Sequence, residues 1–365
     1  MKRCSFLVFL LLIINISFAQ KFSPQPLYTD PTFQGVADPE VIWNEEEQEW
    51  WVYYTCRRAV CEGAPLPALA IGVASSKDWI EWNFRGYIKV DGVGGTAMGA
   101  DILWAPGIVR DGDIYHMFLT FKKGDGRGER WGINESLILH LKAPQDDLLH
   151  GWQTYGALHA SFKAIDATIM KCGDVWNILH RDNLKKERGV NTYRVTTTSL
   201  DTPCSEWNYL GASKGDVNDV SVTGYGYQEG QFLFYWKDQY WLLTDHVTGG
   251  IPVYKSNDVE SWEFCDEILI EDGVDPSQKG WVRHPSVVVI EDRAFIFYFC
   301  QPYLSKDKDD TMSTNQRADA ERCFLQITEL KYEGGKITAD RDELVVPPTN
   351  LVLNKSHWGF SDENK

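Results

Sequence analysis

The sequence predicts an all-β fold: a five-bladed β-propeller built of four-stranded antiparallel blades. Three observations carry the prediction. A unit of short apolar strand, polar turn and aromatic-rich strand recurs five times, roughly 60 residues apart. A polar turn, a Trp and one more short strand follow most of these hairpins. Stretches that keep apolar residues at i, i+3 and i+4 without Gly or Pro breaks are sparse.

The elements follow in chain order. Lys2 and Arg3 form a positive start, and Phe6 to Ile16 is an apolar stretch too short to span a bilayer. Ser17-Phe18-Ala19 reads as a small-x-small cleavage site, so residues 1–19 are expected to be a secretory signal peptide. The expected location is periplasmic or extracellular, with residues 20–365 forming one propeller domain. Cleavage would remove Lys2 and Arg3 and take the net charge from −16 to −18. Such acidity argues against a nucleic-acid or anionic-membrane partner, which needs a positive surface. No later run is apolar and long enough for a membrane helix.

The five hairpins start at Pro39, Pro106, Ala167, Gly230 and Pro285, with turns opening near Asn44, Arg110, Lys171, Trp236 and Glu291. The Trp of the second element is Trp82, Trp152, Trp207 and Trp262. The chain holds 15 Trp in 365 residues, about three times common usage. Broad aromatic side chains filling wedges between twisted sheets account for these four. Lys122-Lys123 and Gly124, Gly126 and Gly128 read as a blade-two loop, Ser305 to Glu321 as a blade-five loop, and the tail from Ser356 as loosely ordered.

Seven cysteines follow the signal segment, an odd count that leaves at least one free. Cys56 and Cys61 are near enough in sequence to close a small loop, although mostly buried free thiols are the simpler reading. The absence of a C-x-x-C pair argues against a zinc or redox site.

In a propeller the first strand of each blade lines the central channel. The residues five to seven positions before the hairpin turns are Asp38, Trp104, Asp166, Glu229 and His284. Three acids, an indole and an imidazole would then converge at one mouth. Acids on neighbouring blades suit glycosidic bond cleavage, which needs one carboxylic acid to protonate the leaving oxygen and a second carboxylate to activate water or attack the sugar. A third acid can keep the donor protonated by like-charge repulsion. Sugar C–H faces pack on indole, which makes Trp104 a candidate platform. Arg57, His180, Arg181 and His246 follow second strands and could reach the mouth, and Arg283 could meet a substrate hydroxyl or carboxylate. The basic pairs Arg57-Arg58 and Lys185-Lys186 read more simply as solvated turns. Neither a Gly-x-Ser-x-Gly elbow nor a Cys-His nucleophile pattern is present.

These residues resemble glycoside hydrolase family 43, in its clan of five-bladed propellers. Ala37-Asp38-Pro39 is similar to the family's first motif, whose Asp is the general base. Trp104-Ala105-Pro106 resembles the WAP motif of blade two, and Ile165-Asp166-Ala167 the Ile-Asp-Pro motif, whose Asp tunes and orients the donor. Glu229-Gly230-Gln231 resembles the Glu-Gly-Pro motif, whose Glu is the general acid. Arg283-His284-Pro285 resembles the fifth-blade His motif; in many members that His lies on the axis near a bound calcium or water, which makes His284 a candidate metal or substrate ligand. Gly107, Ala167 and Gln231 depart from the family pattern. The resemblance implies inverting hydrolysis of a carbohydrate substrate, with no cofactor required for the chemistry and a structural calcium as the one candidate ion. It most simply implies an exo-acting α-L-arabinofuranosidase or β-xylosidase acting on plant or algal oligosaccharides. A sister propeller hydrolase on acidic or anhydro sugars and a non-catalytic carbohydrate-binding propeller are the alternatives.

Overall fold

The computed structural model describes residues 21–59, 70–90, 101–124, 136–158, 163–182, 192–223, 228–246, 249–304 and 320–348. The expected signal peptide, Cys61, Gly126, Gly128, Lys185-Lys186, most of the 305–321 loop and the tail from Ser356 lie outside them.

Five antiparallel sheets follow one another along the chain. Blade one is β1 (Val36–Asn44), β2 (Glu49–Cys56), β3 (Ala70–Ser76) and β4 (Asn83–Tyr87). Blade two is β5 (Ile102–Asp111), β6 (Ile114–Lys122), β7 (Leu137–Pro144) and β8 (Gln153–Ala157). Blade three is β9 (Ile165–Cys172), β10 (Val175–Arg181), β11 (Thr192–Thr197) and β12 (Asn208–Ala212). Blade four gains a short parallel edge strand, β13 (Lys214–Gly215), beside β14 (Gln228–Trp236), β15 (Gln239–His246), β16 (Ile251–Ser256) and β17 (Ser261–Ile268). Blade five is β18 (Trp281–Ile290), β19 (Arg293–Gln301), β20 (Phe324–Glu333) and β21 (Lys336–Thr338). The inner strands β1, β5, β9, β14 and β18 touch in cyclic order, with β18 closing onto β1. The fold is the five-bladed propeller that the repeat predicts.

Short apolar and aromatic runs bounded by polar turns set the strands. In β2, residues Trp50 to Cys56 are all buried, because a blade is covered on both faces by its neighbours. The core is therefore a set of wedges between blades. Trp79 meets Phe295 and Phe297 of blade five at 5.0 and 5.2 Å between ring centroids. Trp152, Trp207 and Trp262 are buried as expected, whereas Trp82 is half-buried and Trp79 takes the deep place in blade one. The turn chemistry also repeats. Ser76 Oγ accepts from the N–H groups of Asp78 and Trp79, and Ser256 Oγ does the same for Asp258 and Val259.

Neighbouring blades are tied at equivalent places. Ile108 N donates to Glu40 Oε1 at 3.1 Å, Leu233 N to Thr168 Oγ1 at 2.9 Å and Val41 N to Ser286 Oγ at 3.1 Å. Blade two has Gly107 at this position, because a Cβ there would lie 2.1 Å from the Ala167 carbonyl oxygen. The departure from the family pattern at Gly107 thus reflects a close approach of blades two and three.

The segment before blade one staples the ring shut. Leu27 N donates to the Leu325 carbonyl at 2.9 Å, Leu325 N to Tyr28 O at 3.0 Å and Ser23 N to Val345 O at 2.9 Å. Cys56, Cys172, Cys204, Cys265, Cys300 and Cys323 are free thiols, so Cys56 does not close a loop with Cys61. No helix among the described residues is long and apolar enough to cross a membrane.

Candidate active site

Each inner strand carries a one-residue bulge at the same place, six residues before the last paired residue of its hairpin. The residues at the bulge with positive φ are Asp38 (47°), Ala105 (41°), Asp166 (56°), Gly230 (64°) and His284 (48°). The left-handed backbone is strained for all but glycine. It re-aims the chain at the channel mouth in every blade. The sequence register is corrected here in two blades. Trp104 and Glu229 stand one position before the bulge, together with Arg283. The hairpin turns at Arg110, Lys171 and Glu291 open one residue away from the places expected, and this hid the common spacing.

The two positions deliver different groups to one site. Asp38 Oδ1 lies 3.4 Å from His284 Nδ1. Asp166 is buried; its Oδ2 accepts from Gly230 N at 3.0 Å, and its own N–H donates to Thr120 Oγ1 at 3.0 Å. Burial, with the charges of Glu229 and Asp38, pushes the Asp166 carboxyl well above the usual range. The three acids that the sequence nominated therefore form one electrostatic cluster. Glu229 is held by Arg181 through Nη1 and faces Arg283 Nη1 at 3.8 Å, while the Arg283 guanidinium stacks 4.4 Å from the centre of Trp281.

The other nominated residues divide. Trp104 is half-buried, with Lys122 Nζ 5.0 Å from its ring centre. Arg57 pairs with Glu321 at 2.7 Å and stacks on Phe299, and its charge is felt with that of Asp38. His180 is buried against Tyr193, with Nδ1 3.2 Å from the Arg181 carbonyl, and burial lowers its pKa. His246 is buried with Nδ1 4.0 Å from Glu267.

Asp245 is the group the sequence reading missed. It lies directly across the β14–β15 ladder from Glu229 and is 4% exposed. Burial first, and then the Glu229 charge, raise its carboxyl to about 7. Pairing outward from the hairpin, in which Trp236 faces Gln239, would have reached His246 instead, because the bulge shifts the ladder by one residue before Glu229.

His284 is the candidate calcium ligand. Calcium takes six to eight oxygen ligands. His284 offers a nitrogen, and no group of three His, Cys, Asp or Glu side chains among the described residues is arranged to hold an ion. Among the described residues the side chains do not build a calcium cage.

A propeller that gathers the carboxyls of Asp38, Asp166, Glu229 and Asp245 with the guanidiniums of Arg181 and Arg283 is the framework of a carbohydrate-cleaving enzyme. The model of glycosyl hydrolases family 43 matches residues 28–247, and the chain belongs to that family and is an inverting glycoside hydrolase. No curated protein sequence matches. Solved structures share the fold. A thermostable family-43 glycoside hydrolase has 15% identity and a TM-score of 0.59, covering 88% of this chain and 100% of its own. A β-xylosidase/α-arabinofuranosidase from a compost microbial metagenome, in complex with xylotriose, has 14% identity and a TM-score of 0.61, covering 87% and 97%. An α-L-arabinofuranosidase from Lactobacillus brevis has 14% identity and a TM-score of 0.54, covering 86% and 95%.

Proposed function

We propose that this glycoside hydrolase is an exported, exo-acting enzyme that releases α-L-arabinofuranosyl or β-xylosyl units from plant or algal oligosaccharides. The observation that carries the chemistry is the grouping of acids on neighbouring blades: Asp166 is buried and bonded to the N–H of Gly230 beside Glu229, within reach of the charges of Glu229 and Asp38, and Asp38 lies 3.4 Å from His284 Nδ1. In this reading Asp38 takes a proton from the attacking water. Glu229 gives a proton to the leaving oxygen, and Asp166 positions Glu229 and resists its ionisation by like charge. Trp104 packs on a sugar face, and Arg181 and Arg283 orient Glu229 between turnovers. The pentose assignment leans on the names of the similar structures, an arabinofuranosidase and a β-xylosidase/α-arabinofuranosidase.

Acidic sugars form the second reading, because Arg57, Arg181 and Arg283 all surround the acids. It is the weaker one: Arg57 is engaged by Glu321, and Arg181 by Glu229. The test is a panel of 4-nitrophenyl glycosides assayed with the purified chain. Turnover of the α-L-arabinofuranoside or β-xyloside, lost in Glu229→Gln with a poor leaving group, is expected. Turnover of a uronide alone would move the assignment to acidic sugars. Sugar binding without turnover would overturn catalysis.

A further inference from the structure

The repeat gives Asp245 a meaning. The second-strand residue facing the position before the bulge is Thr55 in blade one and Thr120 in blade two. Both reach into the next blade. Thr55 Oγ1 accepts from Ala105 N at 2.9 Å, and Thr120 Oγ1 accepts from Asp166 N at 3.0 Å. In blade four the same place holds Asp245. Blades three and five carry Arg181 and Phe299 at this place, so the fold itself does not call for a buried acid here. It costs desolvation that a threonine avoids.

Its surroundings suit a carboxyl pair. Residues directly opposite on antiparallel strands project to the same face, about 4.5–5.5 Å apart at Cβ. Asp245 and Glu229 therefore share a face. Gly230 leaves the space beside Asp245 open: a Cβ there would lie 3.1 Å from Asp245 Oδ2 and 3.1 Å from His284 Nδ1. Charged groups face Asp245 from three inner strands, with Glu229 on β14, Asp166 on β9, and Arg283 and His284 on β18. On its own strand His246 turns to Glu267. On β16 the charge is Lys255, which pairs with Glu263 at 3.0 Å.

We propose that Asp245 is a positioning residue for the acid step, forming with Glu229 a carboxyl pair that shares one proton and so keeps the donor loaded although Arg181 contacts it. This rests on the acid role proposed for Glu229. In the step, the glycosidic C–O bond breaks with its electron pair on the leaving oxygen, which takes the proton from Glu229. Water oxygen bonds the anomeric carbon and loses its proton to Asp38. Exchange with solvent then returns one proton to the Asp245–Glu229 pair and removes one from Asp38.

The sign follows from coupled titration. A pair of carboxyls loses its second proton at higher pH than a lone carboxyl would. Replacing Asp245 by a neutral residue leaves Glu229 to titrate alone beside Arg181 and Arg283, so the basic limb of kcat/KM moves to lower pH.

The experiment measures pH profiles of kcat/KM for wild type, Asp245→Asn and Asp245→Thr, on aryl glycosides with good and poor leaving groups. Asp245→Thr places at this position the side chain that blades one and two carry there. Both variants are expected to shift the basic limb down by about one pH unit. Both are expected to lose about tenfold or more on the poor leaving group at pH 7, and much less on the good one. If Asp245→Thr folds with the wild-type profile on both substrates, Asp245 is only a structural acceptor and the proposal is wrong. Glu229→Gln separates the two ideas. If it shows no leaving-group dependence the acid assignment fails, and if it shows that dependence while the Asp245 variants do not, only the pair fails. Should Asp245→Asn fail to fold, Asp245→Thr alone decides.

Discussion

Glu229 is the residue on which opposing demands meet. Arg181 and Arg283 face its carboxylate, while the acid step needs a proton there, and Asp166 and Asp245 lie close enough for the Glu229 charge to raise their carboxyls. General acid–base groups contribute about 10²–10⁴-fold to rate. Glu229→Gln is therefore expected to cost about 10²–10⁴-fold on a poor leaving group and far less on a nitrophenyl glycoside, read as the ratio of the two kcat/KM values. Equal losses on both would argue for a role in binding alone. Asp38→Asn should lose activity on both, because water must be activated whatever the leaving group. At this scale Asp38 and Asp166 were legible in the sequence, since each sits beside its strand's buried run. Asp245 was not, because its significance lies in a cross-strand partner. His180 and Arg181 show the same limit. Adjacent in sequence, they project to different surroundings, one packed on Tyr193 and the other on Glu229.

At the scale of the strand, the bulge sets the site, and its cost is spread through ties between blades. Glu40 is one such tie. Burial raises its carboxyl to about 8 from an ordinary 4.5. The folded state then binds a proton that the unfolded state releases, so this group's contribution to stability falls as pH rises from about 4.5 to about 8. Glu40→Gln keeps an oxygen for the Ile108 N–H and removes the charge. Thermal melting should find the variant's advantage over wild type larger at pH 8 than at pH 5; an equal difference at both would refute the burial argument. Gly107→Ala drives a Cβ against the Ala167 carbonyl and should cost about 1–3 kcal/mol or more in denaturant unfolding. The sequence showed the five hairpins and the Trp positions because alternation and turn residues are local signals. It misplaced two bulge positions because a left-handed residue inside a strand leaves no periodic mark.

Over the whole molecule, the ring closes through the segment before blade one rather than through a shared blade. Leu27 is buried and its backbone joins Leu325. Leu27→Ala should lower stability by about 2–5 kcal/mol, seen in the midpoint of a chemical denaturation curve. A negligible change would mean that the ring is held by its blade wedges alone. The number and order of blades were readable from the repeat, while the closure was not, since Leu27 and Leu325 are far apart in sequence and belong to no common motif.

The central claim is that Asp38 and Glu229 act on opposite sides of the anomeric carbon, with water between Asp38 and the sugar. The most direct measurement is ¹H NMR of the first anomer released by the wild-type enzyme from the nitrophenyl glycoside it turns over, recorded before mutarotation. The account predicts the anomer opposite to that of the substrate. First release of the substrate's own anomer would make one of these carboxylates a nucleophile and contradict it.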